Sequence, residues 1–231
     1  MMTLILLISP GSGCSQQPAK GVKQGNDDLS IHSLGKGNID KVADIHVREA
    51  RAHLRELMKK LYKRNPRELK KSKIADAGQN IARVFDHQHN WNFDELQGRK
   101  GINAIRLTFS EEFKGDRVFS FVAGLTSMIM ASYGYKSDFY LFDTLDPQKL
   151  YNSARNIEIA VWKLEHTIDV KGEPYLYSNS LPGEDANLSY ERLFGKLIAT
   201  QDNIAIIISG KTNRVIKTVI QRMATAAFLP I

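Results

Sequence analysis

Apolar residues along this chain recur mostly at helical spacing. Ala43, Val47, Ala50, Leu54, Leu57 and Leu61 step by 4, 3, 4, 3 and 4, which predicts a long amphipathic helix from Asn38 to about Arg64. Asn38 reads as its cap, with Asp40 in the first turn. Asn65-Pro66-Arg67-Glu68 marks a second start: Asn as cap, Pro at the first position, Glu three after the cap. Ile74, Gly78, Ile81 and Phe85 continue that stripe to about Asp86. Residues 87–100 read as a loop, followed by a helix through Ile102, Ile105, Phe109 and Phe113. Asp146-Pro147 opens another, in which Leu150, Ala154, Ile157, Val161, Leu164 and Ile168 step 4, 3, 4, 3 and 4. After an exposed loop at 170–186, Asn187 caps a helix carrying Tyr190, Leu193, Leu197, Ile204 and Ile208, which Ser209-Gly210 is expected to stop. Val215, Ile216, Val219, Ile220, Met223, Ala224, Ala227 and Phe228 predict a last helix. Only Ile204–Ile208 and Phe139–Phe142 have any β-like character.

Val118 to Tyr135 contains no charge. Its length sits at the edge of what spans a bilayer, but Ser120, Thr126, Ser127, Ser132 and two glycines make it polar for lipid. Ala123, Ser127 and Ala131 share a stripe that lets another helix approach closely. The expectation is a central core helix wrapped by amphipathic ones. The fold class that follows is all-α: an antiparallel multi-helix bundle of about seven helices with a central apolar helix.

The chain opens MMTLILLISPGSGCS. Residues 3–9 are apolar but much too few to span a bilayer; they match the apolar segment of an export signal ahead of a small-residue cleavage site. The single cysteine, Cys14, directly follows Gly11-Ser12-Gly13. This region resembles a bacterial lipoprotein signal. Gly11 stands where that pattern usually has a larger aliphatic residue, and no Lys or Arg precedes the apolar run. The resemblance covers residues 1–15 alone. It implies that Cys14 becomes the lipidated first residue of the mature chain, and that Ser15 directs sorting to the outer membrane, facing the periplasm. Residues 15–37 are rich in Gly, Ser, Gln and charge without an apolar period, the composition of a flexible tether. The expected organisation is a signal segment at 1–13, lipidated cysteine and tether at 14–37, and a helical domain at 38–231.

Composition narrows the function classes. With 42% hydrophobic and 25% charged residues, the chain of 231 residues is globular on average. One cysteine excludes a disulfide framework and any CxxC-type zinc site. The formal charge is +7, and residues 59–73 account for all of it: Lys59, Lys60, Lys63, Arg64, Arg67, Lys70, Lys71 and Lys73 stand against Glu68 alone. Such local imbalance points to an anionic contact, whether phosphates of lipid or lipopolysaccharide or an acidic protein face. The plainer alternative is a solvated helix face.

Other constellations are weaker. Ser209-Gly210-Lys211-Thr212 looks like the end of a P-loop, but position 205 is alanine where that motif needs glycine. His46, Glu49 and His53 can share a helix face and hold a metal if another helix supplies ligands, for which Glu158, Glu165 and His166 are the candidates; otherwise they are polar cover for a bundle seam. Asp86, His87 and His89 form a second cluster in the loop ending at Trp91 and Phe93, whose aromatics either anchor a partner or pack on the bundle. No GxSxG, Rossmann spacing or base-reading motif is present, no cofactor is implied, and nucleic acid is a partner only if residues 1–15 are not a signal. The sequence thus supports a lipid-anchored envelope protein acting by interaction. A metal-dependent enzyme and a cytosolic nucleic-acid binder are the alternatives.

Overall fold

The computed structural model describes residues 37–140, 143–179, 183–185, 187–219 and 225–231. Cys14 and the expected signal and tether therefore lie outside the described residues. Seven α-helices are present among the described residues: α1 (Asn38–Arg64), α2 (Pro66–Leu69), α3 (Ala77–Phe85), α4 (Ile102–Thr108), α5 (Arg117–Ser132), α6 (Pro147–His166) and α7 (Ser189–Thr212). A single 3-10 turn, Asp94–Leu96, precedes α4. An isolated bridge between Ile168 and Pro174 is the only β pairing among the described residues. The fold is all-α, a multi-helix bundle.

The heptad stripe of α1 is buried at every step, with Ala43, Val47, Ala50, Leu54, Leu57 and Leu61 all at 1% exposure or less. It packs against α5 on one side and α7 on another. The α5 helix lies at the centre, buried continuously from Arg117 to Met130 and in contact with α1, α4 and α6. No described helix is long and apolar enough to cross a membrane. The α4 and α5 backbones meet where small residues permit it. Ser120 Oγ donates to Ala104 O at 2.8 Å, and the Gly101 N–H donates to Ser127 Oγ at 2.7 Å. Between these two contacts, a Cβ on Gly124 would fall 2.8 Å from the Ile105 nitrogen.

Several boundaries differ from the sequence expectation. Gly37, not Asn38, occupies the α1 cap, and the Asp40 carboxylate reaches back to the Gly37 N–H at 2.9 Å. The stretch from Pro66 to Asp86 is two helices, because Glu68 is drawn into the core and the chain turns after Leu69. Buried Asn80 holds the intervening loop through Ser72 Oγ and Ile74 O, and Asp76 caps the restart through Gln79 N–H at 2.6 Å. The α4 helix ends at Thr108, short of Phe113. Ile168 falls beyond α6 and is 56% exposed. Ile204–Ile208 is helical, and α7 runs through Ser209-Gly210 to Thr212, closing on Asn213 in the left-handed region.

The largest correction is the expected last helix. Residues 214–219 and 226–231 are not helical, and Ile220, Met223 and Ala224 lie outside the described residues. A row of amides on α6, one turn apart, holds described backbone within and just after this stretch. Gln148 exchanges two bonds with the Lys217 backbone (2.7 and 3.1 Å), Asn152 donates to Pro230 O (2.8 Å), and Asn156 exchanges two bonds with Leu229 (2.7 and 2.8 Å). Side-chain amides supply partners that a helix would otherwise have to find within itself.

Gly124→Ala tests the closeness of α4 and α5. The added methyl has no room, so the urea midpoint should fall by the equivalent of about 1–3 kcal/mol, while far-UV circular dichroism remains helical.

Candidate functional site

The basic run is distributed over the end of α1, α2 and the loop after it, and the fold uses much of it internally. Glu68, fully buried, is its hub. Its Oε1 receives Lys71 Nζ at 2.7 Å and lies 3.4 Å from Arg67 Nε, while Oε2 accepts the Arg117 N–H at 3.0 Å. Arg67 also donates to Pro174 O and Tyr175 O and lies over the Tyr177 ring at 4.9 Å. Arg64 is paired with Glu184, and Lys60 sits over the Tyr190 ring at 5.2 Å. Lys73 approaches Asp94 at 3.7 Å and Lys59 approaches Glu56 at 4.0 Å, both in solvent, where such pairs contribute little. Lys63 and Lys70 are exposed and have no ion pair among the described residues.

Behind Glu68 lies a buried polar knot at the start of α5. Asp116 caps that helix through the Phe119 N–H at 2.9 Å and accepts Tyr62 OH at 2.7 Å. The Arg117 guanidinium donates to the carbonyls of Thr108, Ser110 and Phe113 and lies 4.5 Å over the Tyr175 ring. Burial pushes the Asp116 carboxyl up to about 6, further raised by Glu68 and opposed by the Phe119 N–H and Tyr62.

His46, Glu49 and His53 do share one face of α1, but what faces them across a shallow groove is Lys196 of α7, not an α6 carboxylate. His46 Nδ1 bonds to Val42 O at 2.8 Å, and burial, with Lys196, holds His53 below its ordinary value. Glu165 instead accepts from Asn179, Glu158 pairs with Arg155, and His166 stacks on Trp162. No group of three or more His, Cys, Asp or Glu placed to hold a metal ion exists among the described residues. The P-loop look-alike is the last turns of α7, with Lys211 Nζ at 3.7 Å from Asp40.

A roomier cavity than that groove lies elsewhere, about 600 Å³, between the 87–91 loop, the end of α5 and the residue before Gly101. Sequence reasoning singled out one side of it, His87, His89 and Trp91, but missed Arg51, Lys100, Met130 and Tyr135. Two backbone devices build it. The Asn92 N–H bonds to His89 O at 2.8 Å with positive φ at both Asn90 (43°) and Trp91 (60°), the arrangement of a type I′ turn. Trp91 stands where that turn favours glycine, at a cost of about 1–2 kcal/mol. His89 holds it there: its Nδ1 accepts the Trp91 N–H at 3.0 Å while Nε2–H donates to Val84 O at 2.9 Å. The second device ends α5. Gly134 (φ 63°) donates to Ala131 O at 3.0 Å and Tyr135 to Met130 O at 2.7 Å, a Schellman closure that sets the Tyr135 ring at the cavity mouth.

Trp91 and Tyr135 ring centroids are 6.4 Å apart with planes 36° from parallel. Trp91 is backed by His89 (4.5 Å), then Phe93 and core Phe119, so its position is fixed from the core outward. Lys100 Nζ lies 5.4 Å from the Tyr135 centroid. Arg51 donates to Phe85 O, and its desolvation lowers the guanidinium below its usual value, with Asp86 pulling it back up. That carboxylate is engaged by Arg55, and no carboxylate lines the cavity.

No family model, curated protein or solved structure matches this chain.

Asp116 gives a pH signature. Its folded value, about 6, exceeds its ordinary 3.8. Between those values the native state retains a proton the unfolded chain has released, so stability falls as pH rises through that window. The decline should total up to about 3 kcal/mol. Asp116→Asn should flatten the slope between pH 4 and 6 in urea unfolding.

Proposed function

We propose that this chain is a lipid-anchored, helical binding module of the bacterial cell envelope, sorted to the outer membrane and facing the periplasm. The lipid is carried by Cys14, and residues 14–37 form the tether that gives the helical body reach. The body meets a phosphate-bearing anionic surface, of phospholipid or lipopolysaccharide, through the ammonium groups at the end of α1 and just after α2. The observation that carries this reading is what the fold leaves over. Arg64, Arg67 and Lys71 are engaged with Glu184 or Glu68, but Lys59, Lys63 and Lys70 remain exposed at one end of the bundle. Exposed lysines without strong internal pairs attract an anionic surface by about 1 kcal/mol each. A lipid chain and a polybasic patch together give stable surface binding where one signal alone is weak.

Two measurements separate anchor from surface. Expression with radiolabelled palmitate in a Gram-negative host should label the native chain and not Cys14→Ala; absence of label in the native chain overturns the anchor. The unlipidated Cys14→Ala chain should still sediment with vesicles containing anionic phospholipid. Lys59→Glu, Lys63→Glu and Lys70→Glu together should weaken that binding by about tenfold or more, with the fold intact because none of the three holds a buried partner. Binding indifferent to the reversal and to salt overturns the surface reading.

A further inference from the structure

The cavity between the 87–91 turn and the end of α5 is a second, independent site, and its chemistry is more specific than that of the lysine surface. From it we infer that the protein binds an acidic saccharide, a pyranose bearing a carboxylate or a phosphate. The inference does not rest on the anchor or on the lysine surface.

Four features converge. The first is charge: Arg51 and Lys100 border a cavity whose lining holds two cations and no carboxylate, so an anion entering it meets attraction. The second is the aromatic wall. Trp91 and Tyr135 offer two ring faces of amphipathic character. A planar base clamped between two rings needs parallel faces about 7 Å apart, twice the carbon contact distance. These ring centroids are 6.4 Å apart and the planes diverge by 36°, so the rings lean on one another and leave no such slot; a ligand meets their outer faces instead, and Tyr135 is 46% exposed. The C–H face of a pyranose then packs on the indole or phenol.

The third feature is the rim. Gln88, Asn90 and Ser137 also line the cavity. Amides and hydroxyls both donate and accept, which matches the dual character of sugar hydroxyls. The fourth is size and preparation. About 600 Å³ holds one or two sugar rings and falls in the range of small-molecule sites. Asn90, Trp91 and Tyr135, all on this cavity, have positive φ without being glycine. Strained backbone held in place by its surroundings is characteristic of sites that must present side chains in a set geometry. Here the presented side chains are the two aromatic rings, and His89, through both ring nitrogens, is what holds the turn.

The test follows the two indole N–H resonances of the full chain by NMR; the chain has two tryptophans, and Trp162→Phe assigns the one belonging to Trp91. Four probes are titrated at constant ionic strength: glucuronate, glucose 6-phosphate, glucose and adenosine monophosphate. The Trp91 resonance should move saturably with at least one of the acidic sugars. Whichever is tighter identifies the anion as carboxylate or phosphate. Glucose and the nucleotide should each bind about tenfold or more weaker than that sugar. Lys100→Glu, exposed and without a buried partner, should weaken it by a similar factor with unchanged circular dichroism. The inference is overturned by the absence of a saturable shift from either acidic sugar up to about 10 mM. Equal response to glucose or to the nucleotide, or binding that Lys100→Glu leaves untouched, overturns it as well.

Discussion

A helix buried on every side cannot leave its end groups to water. The central α5 presents free N–H groups at one end, within the bundle, and free carbonyls at the other, where the chain reaches the surface at Gly134 and Tyr135. At its start, Asp116 takes the Phe119 N–H, Glu68 takes the Arg117 N–H, and the Arg117 guanidinium gathers three carbonyls of the preceding loop. At its finish, Gly134 and Tyr135 turn back onto Ala131 and Met130. Much of the rest follows. Satisfying the first end draws Glu68 inward, breaks the second predicted helix in two, and claims Lys71 and Arg67. Satisfying the second end sets Tyr135 opposite Trp91. The same constraint thus subtracts from one surface and builds the other.

The bundle was legible because its evidence is periodic. The stripe from Ala43 to Leu61 and that from Leu150 to Leu164 needed no knowledge of neighbours, since a row of apolar residues on one helix face has few alternatives. Asp146-Pro147 was equally plain, the acid capping and the proline occupying a position whose N–H is unneeded. What failed was decided at a distance. Val215 to Phe228 has helical spacing, yet Gln148 holds the backbone of Lys217 within it, and Asn152 and Asn156 hold Pro230 and Leu229 just after it, partners that no local reading registers. Lys71 and Arg67 look free in sequence because Glu68 looks like one acid among many, and only burial gives it weight.

The cavity was legible on one side only. His87, His89 and Trp91 stood out as polar and aromatic residues in an irregular stretch. Lys100, Tyr135 and Arg51 carry no such mark: the first follows an arginine before a glycine, the second follows a glycine, and the third sits on the polar side of α1. Nothing in local pattern joins them. A tryptophan at the second centre of a type I′ turn contradicts the usual preference. Sequence rules therefore steer away from the conformation that makes the site, and Trp91 is where local preference and tertiary structure disagree.

The amide row on α6 has a further meaning. Gln148, Asn152 and Asn156 grip N–H and C=O groups, which every residue except proline offers alike. The grip is therefore blind to side-chain identity at Lys217, Leu229 and Pro230, the residues whose backbone it holds. Ordinarily a helix face selects its neighbour by shape and hydrophobicity. At these three residues it works more like the edge of a sheet, holding backbone rather than side chain.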